Sequence, residues 1–141
     1  GFNVFPFYFI YSASKHALDS ITEALHYELS EFNVQVCAIE PGGFKTKFSP
    51  NSKIGSLEHP EEKIYEKRIK NFNTFLGYVQ TKIEKDPLIV AGKIIELCEA
   101  PKIPVRVRVG AEAHLNWILK KITPDQWRIG IQDWLYKRFF C

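Results

Sequence analysis

From Ala17 onward the apolar positions recur every three or four residues: Ala17, Leu18, Ile21, Ala24, Leu25, Leu29 and Phe32, with Asp19, Glu23 and His26 between them. That period predicts an amphipathic helix of about five turns following Tyr11. Past Asn33 the pattern changes. Residues 34–39, V-Q-V-C-A-I, are apolar at nearly every position, as a parallel strand covered on both faces would be, and E-P-G-G ends the run. A charged helical stretch opens at E-E-K-I-Y-E-K-R-I-K-N-F and carries Phe72, Phe75 and Tyr78 towards its end. Asp86-Pro87 starts another helix with proline in the first turn, and Val90, Ala91, Ile94, Ile95 and Cys98 form its apolar face up to Pro101. V-R-V-R-V, residues 105–109, then alternates strictly and closes on Gly110, which predicts a strand with one exposed face at a sheet edge. Two further helices follow, over about 112–121 and 124–138; T-P-D-Q before the second combines a capping box with proline at the first helical position.

Helix, strand, helix, strand is the order of an α/β fold with a right-handed crossover between parallel strands. Two strands cannot form such a sheet alone, and the apolar run 34–39 demands neighbours. Either partner strands come from elsewhere or the chain is the carboxyl half of a longer protein, and the second reading is preferred. The start of the chain agrees with it. There is no methionine, and G-F-N-V-F-P-F-Y-F-I lacks the basic start and small-residue cleavage site of a signal peptide. The expectation is a chain that begins in the middle of a domain.

Composition narrows the class further. At 45% hydrophobic and 25% charged residues the chain is that of a globular protein without a span-length apolar run. The 19 basic and 16 acidic residues are interspersed, for a net charge of +3, and no basic stripe points to nucleic acid. Cys37, Cys98 and Cys141 are odd in number and far apart, so they read as reduced thiols of a cytoplasmic protein. His16, His26, His59 and His114 show no metal-ligand spacing.

The candidate chemistry lies in Y-S-A-S-K, residues 11–15. A phenol with an ordinary pKa of about 10 is a poor base at neutral pH, and an ammonium nearby favours its ionised form. Positions i and i+4 share a helix face, so Lys15 can serve Tyr11 in this way and make it a proton donor and acceptor at a carbonyl or alcohol oxygen. The spacing alone is common. In combination with P-F-Y-F-I before it and V-Q-V-C-A-I-E-P-G-G-F-K-T after the helix, it resembles the short-chain dehydrogenase/reductase family, in its ketone–alcohol branch. The likeness is close over residues 1 to about 47 and looser beyond.

The resemblance implies the carboxyl-terminal part of a Rossmann-type, doubly wound parallel sheet, here two strands and about five helices in one domain. Residues 44–85 stand where the family has its substrate-covering loop, and 111–141 form a helical tail. Tyr11 would be the acid/base; Lys15 would activate it and hydrogen-bond the nicotinamide ribose of NAD or NADP. Pro41, Gly42 and Gly43 would form the loop beside the nicotinamide, and Thr46 would contact the cofactor. The substrate would be a small alcohol or ketone, and the full-length protein a homo-oligomer. Phe44, Phe48, Tyr65, Phe72, Phe75 and Tyr78 either line a lipophilic pocket or pack the covering loop onto the domain. The family's serine and glycine-rich phosphate loop fall before Gly1, so the isolated chain is expected to be inactive. A non-catalytic remnant or interaction module with half the fold is the alternative; the P-G-G-F-K-T segment disfavours a sugar-nucleotide epimerase. In the tail, tryptophans and phenylalanines alternate with Lys120, Lys121, Arg128, Lys137 and Arg138. They are expected to pack on the domain or a second subunit, with contact to a membrane surface as the lesser possibility.

Overall fold

The computed structural model describes residues 4, 6–48, 63–83 and 85–140. The P-N-S-K-I-G-S loop, His59 and Cys141 lie outside the described residues.

The first helix, α1, spans Phe9–Leu29, so Tyr11 and Lys15 sit in its first two turns. It runs into a 3-10 turn at Ser30–Phe32, and Asn33 closes it in the left-handed region at φ 59°. Val34 N–H then bonds Leu29 O and Asn33 N–H bonds Ser30 O, the paired closure of a Schellman motif. Asparagine tolerates that backbone, which is why the break falls there.

Strand β1 is Ala38–Pro41 and strand β2 is Arg106–Val109, paired in parallel. This corrects the expected 34–39. The ladder begins only where Ala38 N–H reaches Val105 O at 2.8 Å, and it runs on to Gly42 N–H on Val109 O. Val34–Cys37 precede the ladder, and Gln35 holds them in place by bonding Pro101 O and Ile103 N–H with its side chain. The register sets Glu40 opposite Arg108, whose ion pair at 3.1 Å is nearly covered (9% and 16% exposed). Burial raises the Glu40 carboxyl above the ordinary range, and the Arg108 charge opposes that rise. The Arg108 guanidinium also lies 4.3 Å from the centre of the Trp117 ring.

Between the strands come α2 (Lys63–Thr81) and α3 (Leu88–Glu99). The Asp86 carboxylate accepts from Leu88 N–H at 2.8 Å, so the Asp-Pro start acts as a cap, and the extended Ala100 before Pro101 ends the helix. After β2 come α4 (Ala111–Ile122) and α5 (Asp125–Phe140). Among the described residues, five α-helices and a two-stranded parallel sheet thus make up part of a Rossmann-type fold.

The interior is aromatic. Phe72 of α2 is 1% exposed and meets Phe7, Tyr8 and Phe140 at ring-centre distances of 5.5, 5.7 and 5.4 Å. Phe7 takes φ 65°, a left-handed backbone that costs a bulky residue roughly 1–2 kcal/mol. Its contacts with Phe72, Tyr65 and Tyr136 hold it there. The apolar stripes of α1 and α3 have no such cover: Leu18, Ile21, Ile94 and Ile95 are exposed, and the buried positions on α1 are Ser12 and Thr22. A two-stranded sheet is too narrow to cap a five-turn helix, so the stripes read from the sequence face outwards. No helix of the described residues is long and apolar enough to cross a membrane.

Candidate active site at the carboxyl edge of the sheet

Tyr11 projects from the first turn of α1, 42% exposed, between the rings of Tyr8 (6.1 Å, edge-on) and Phe48 (5.3 Å). The backbone beneath it is fixed. Ser12 N–H bonds Tyr8 O, Ser14 Oγ donates to Tyr11 O at 2.7 Å, and the His16 ring bonds Ser12 O at 2.8 Å. The Lys15 ammonium lies 5.4 Å from the centre of the Tyr11 ring. It stands over the face of the phenol, where a cation is attracted by the ring electrons, with its three donors available to a further oxygen-rich group.

Pro41, Gly42 and Gly43 leave β1 beside the point where Gly110 leaves β2, since parallel strands in this register end together. A Cβ on Gly42 would come within 3.2 Å of Glu112 Oε2 and 3.4 Å of Ala113 N, so a side chain here would push against the start of α4. On Gly43 it would meet Ile83 at 3.2 Å. Gly110 has φ 99°, a backbone that only glycine adopts without strain. The Lys85 ammonium pairs with Glu112 across this point, and Lys45 N–H bonds Lys85 O at 2.9 Å. That bond from Lys85, together with the backbone N–H of Glu112 itself, holds the Glu112 carboxyl below its ordinary range. Thr46 is exposed, and its hydroxyl accepts from Phe48 N–H at 3.3 Å.

The predicted site residues therefore fall into two groups. Tyr11 and Lys15 share one with Phe48; Pro41, Gly42 and Gly43 share the other with Gly110, Glu112, Lys85 and Ile83. Residues 44–47 bridge them, fixed by Lys45 at one end and by Thr46 and Phe48 at the other. The Lys85–Glu112 clasp was not foreseen from the sequence. Its signal was there: V-R-V-R-V-G-A-E repeats the strand-then-glycine ending of A-I-E-P-G-G, and the two endings meet. Among the described residues no three His, Cys, Asp or Glu are grouped to hold a metal ion.

Of the rings that the sequence offered for a pocket, Phe72 is the buried centre of the aromatic cluster, and Phe75 meets Phe140 at 5.6 Å. Phe44 lies at Gly110 and Phe48 at Tyr11, while Tyr78 is exposed. A groove of about 810 Å³ runs between Val4, Pro6, Phe7 and Phe9 on one side and α2 and α5 on the other.

Residues 1–55 match the family model described as short chain dehydrogenase. The chain is 37% identical over 119 residues to a probable short-chain type dehydrogenase/reductase of Helicobacter pylori, covering 83% of this chain and 42% of the relative. It is 47% identical over 119 residues to an NADPH-dependent 3-dehydrocapnine reductase of Ornithobacterium rhinotracheale (82% and 40%). A 3-ketodihydrosphingosine reductase of Bacteroides thetaiotaomicron is 40% identical over 57 residues (40% and 21%). No solved structure matches the chain. The chain spans less than half the length of these curated relatives. Match and motif coincide in the segment that carries Tyr11, Lys15 and the Pro41-Gly42-Gly43 turn, and the chain belongs to the short-chain dehydrogenase/reductase family.

Proposed function

We propose that this chain supplies the proton-transfer half of an NAD(P)-dependent oxidoreductase that interconverts a secondary alcohol and a ketone. The observation that carries it is the pairing of an exposed Tyr11 with the Lys15 ammonium over its ring, against Phe48 on the segment that leaves the carboxyl edge of the parallel sheet, the edge where open α/β folds bind their ligands. The residues present fit the nicotinamide–ribose end of a dinucleotide. Lys15 offers donors to the ribose hydroxyls, the side-chain-free turn at Gly42 and Gly43 admits a close planar ring, and the Thr46 hydroxyl is exposed beside them. They do not fit its diphosphate. The helix start at this edge, on α4, carries Glu112 in its first turn, and a carboxylate there repels an anion.

Bound nicotinamide supplies or accepts the hydride at the carbonyl carbon. Tyr11 Oη–H gives its proton to the ketone oxygen as the new C–H bond forms, and takes it back in the reverse direction. Lys15 favours the ionised phenol left behind and holds the ribose, so it acts in both binding and chemistry. The phosphate-binding part of the fold would come from sequence beyond this chain, and the isolated chain would be inactive. The open apolar stripes of α1 and α3 are where the rest of the sheet would pack. The outer face of α5, with Trp127, Ile131 and Trp134 exposed, is offered to a second copy of the protein; salt-sensitive pelleting with anionic liposomes would assign it to a membrane surface instead.

Two variants of the full-length protein test the reading. Tyr11→Phe is expected to lower kcat by about 10²–10⁴-fold with cofactor Kd unchanged, since only the proton donor is lost. Lys15→Ala is expected to raise that Kd and lower kcat together. Near-native kcat in Tyr11→Phe would leave the non-catalytic module as the better account.

A further inference from the structure

The groove beside the site has a shape and a chemistry that the reaction does not require. Its wall on α5 is built by residues from Arg128 to Phe140, twelve helical steps or about 18 Å of helix length. The facing wall is Phe7 and Phe9 on one side and Phe72 and Phe75 on the other. At its margin Arg128 pairs with Asp125 through one terminal nitrogen, and Asp133 with Lys137, each at 2.7 Å, while the buried Arg128 Nε has no hydrogen-bond partner among the described residues. What remains along its length is mostly apolar: Ile129, Leu135, Phe139 and Phe140 line it from α5, with Gln132 and Tyr136 among them.

One end of the groove is tied to the site. Phe72, which lines it, packs on Tyr8, and Tyr8 packs edge-on against Tyr11. Tyr136 and Phe140, at the carboxyl end of α5, meet Phe7 and Phe72, so this end of the helix joins the run of rings Phe140, Phe72, Tyr8 and Tyr11, and Arg128 stands about 18 Å further along the helix. The left-handed backbone of Phe7 is spent on turning that ring into the wall.

We infer that the groove lined by Val4, Pro6, Phe7 and Phe9, α2 and α5 holds the alkyl chain of a long-chain ketone whose carbonyl is presented to Tyr11, an assignment of substrate class that rests on the proposed reaction. A compact ring system leaves much of an 18 Å trough unfilled, whereas an extended chain of roughly fourteen carbons, each advancing about 1.3 Å, runs its length. A trough of 810 Å³ has volume for such a chain and falls in the range of ligand sites. Along Ile129, Leu135 and Phe139 recognition comes from apolar area.

The test uses the full-length protein, a series of straight-chain 2-alkanones from four to fourteen carbons, and whichever of NADH or NADPH it oxidises. Each methylene buried is expected to raise kcat/KM by roughly threefold to fourfold until the groove is full. Ile129→Glu alters an exposed wall residue at the end of α5 opposite Phe140. It is expected to remove that rise and to leave turnover of the four-carbon ketone unchanged. In parallel, fluorescent cis-parinaric acid is titrated into the Tyr11→Phe protein, where saturable binding is expected, and its loss in the Tyr11→Phe, Ile129→Glu double variant. A flat chain-length series without parinarate binding overturns the groove and leaves the reaction standing. So does a rise that Ile129→Glu does not touch. Parinarate binding lost in the double variant, with no ketone reduced by the wild type, supports the groove and overturns the reaction.

Discussion

The carboxyl edge of the sheet and the aromatic groove lie side by side yet are held by different physics. At the edge, position is fixed by few, directional contacts: Gly42 N–H on Val109 O, Lys45 N–H on Lys85 O, the Lys85–Glu112 pair. Each depends on one atom being in one place. In the groove, Phe72 meets three rings at 5.4–5.7 Å, and no single contact decides the geometry. Proton transfer needs the first kind of order, because a misplacement of about an ångström costs orders of magnitude in rate. Holding an apolar ligand needs only the second, since burial is non-directional.

Substitutions on the two sides should therefore fail in different ways. The largest effect on stability is expected from Phe72→Ala. It empties the centre of the ring cluster and should cost about 3–5 kcal/mol, read as a fall in the urea midpoint at constant slope. Gly110→Ala comes next, because its φ of 99° and the 3.2 Å approach to Glu112 both oppose a side chain. About 1–3 kcal/mol is expected, with the cofactor Kd rising as the turn shifts. A Gly110→Ala protein with unchanged cofactor Kd would detach the clasp from the proposed site.

The smallest effect belongs to Glu112→Gln, expected below about 1 kcal/mol because the Lys85 pair is exposed and screened. Its sign with pH is the sharper reading. The folded Glu112 carboxyl is held below its ordinary value, so its contribution is present above that value and is lost as pH falls through the lowered one. Glu40 has the opposite sign. Its folded value is raised, so its contribution is complete below the ordinary carboxylate range and is lost as pH rises through the raised value. Urea midpoints measured from pH 3 to 7 should thus lose an acid-side decline in Glu112→Gln and gain none; a steeper acid-side decline would contradict the pairing.

The two regions also differ in how far the sequence discloses them. Tyr11 and Lys15 are four apart on one helix, and the Pro-Gly-Gly turn follows the next strand, so local spacing carries them. The order of helices and parallel strands was legible for the same reason. The strand boundary was not. V-Q-V-C-A-I reads as one apolar run, but pairing starts at Ala38 because that is where Val105 arrives from about 70 residues away in the chain. The groove is less legible still. Phe7, Phe72 and Phe140 converge from three separate segments, and the outward and inward faces of α5 are both rich in large apolar side chains. Without a polar face the helix shows no orientation until its neighbours are placed.

The separation of chemistry from recognition can be measured in one experiment on the full-length protein: kcat/KM for a four-carbon and a fourteen-carbon 2-alkanone in the wild type, Tyr11→Phe and Ile129→Glu. Tyr11→Phe should lower both values by one common factor, about 10²–10⁴, because the proton is needed whatever the chain. Ile129→Glu should lower only the value for the long ketone. Retained activity in Tyr11→Phe, or an equal loss for both ketones in Ile129→Glu, would contradict the account.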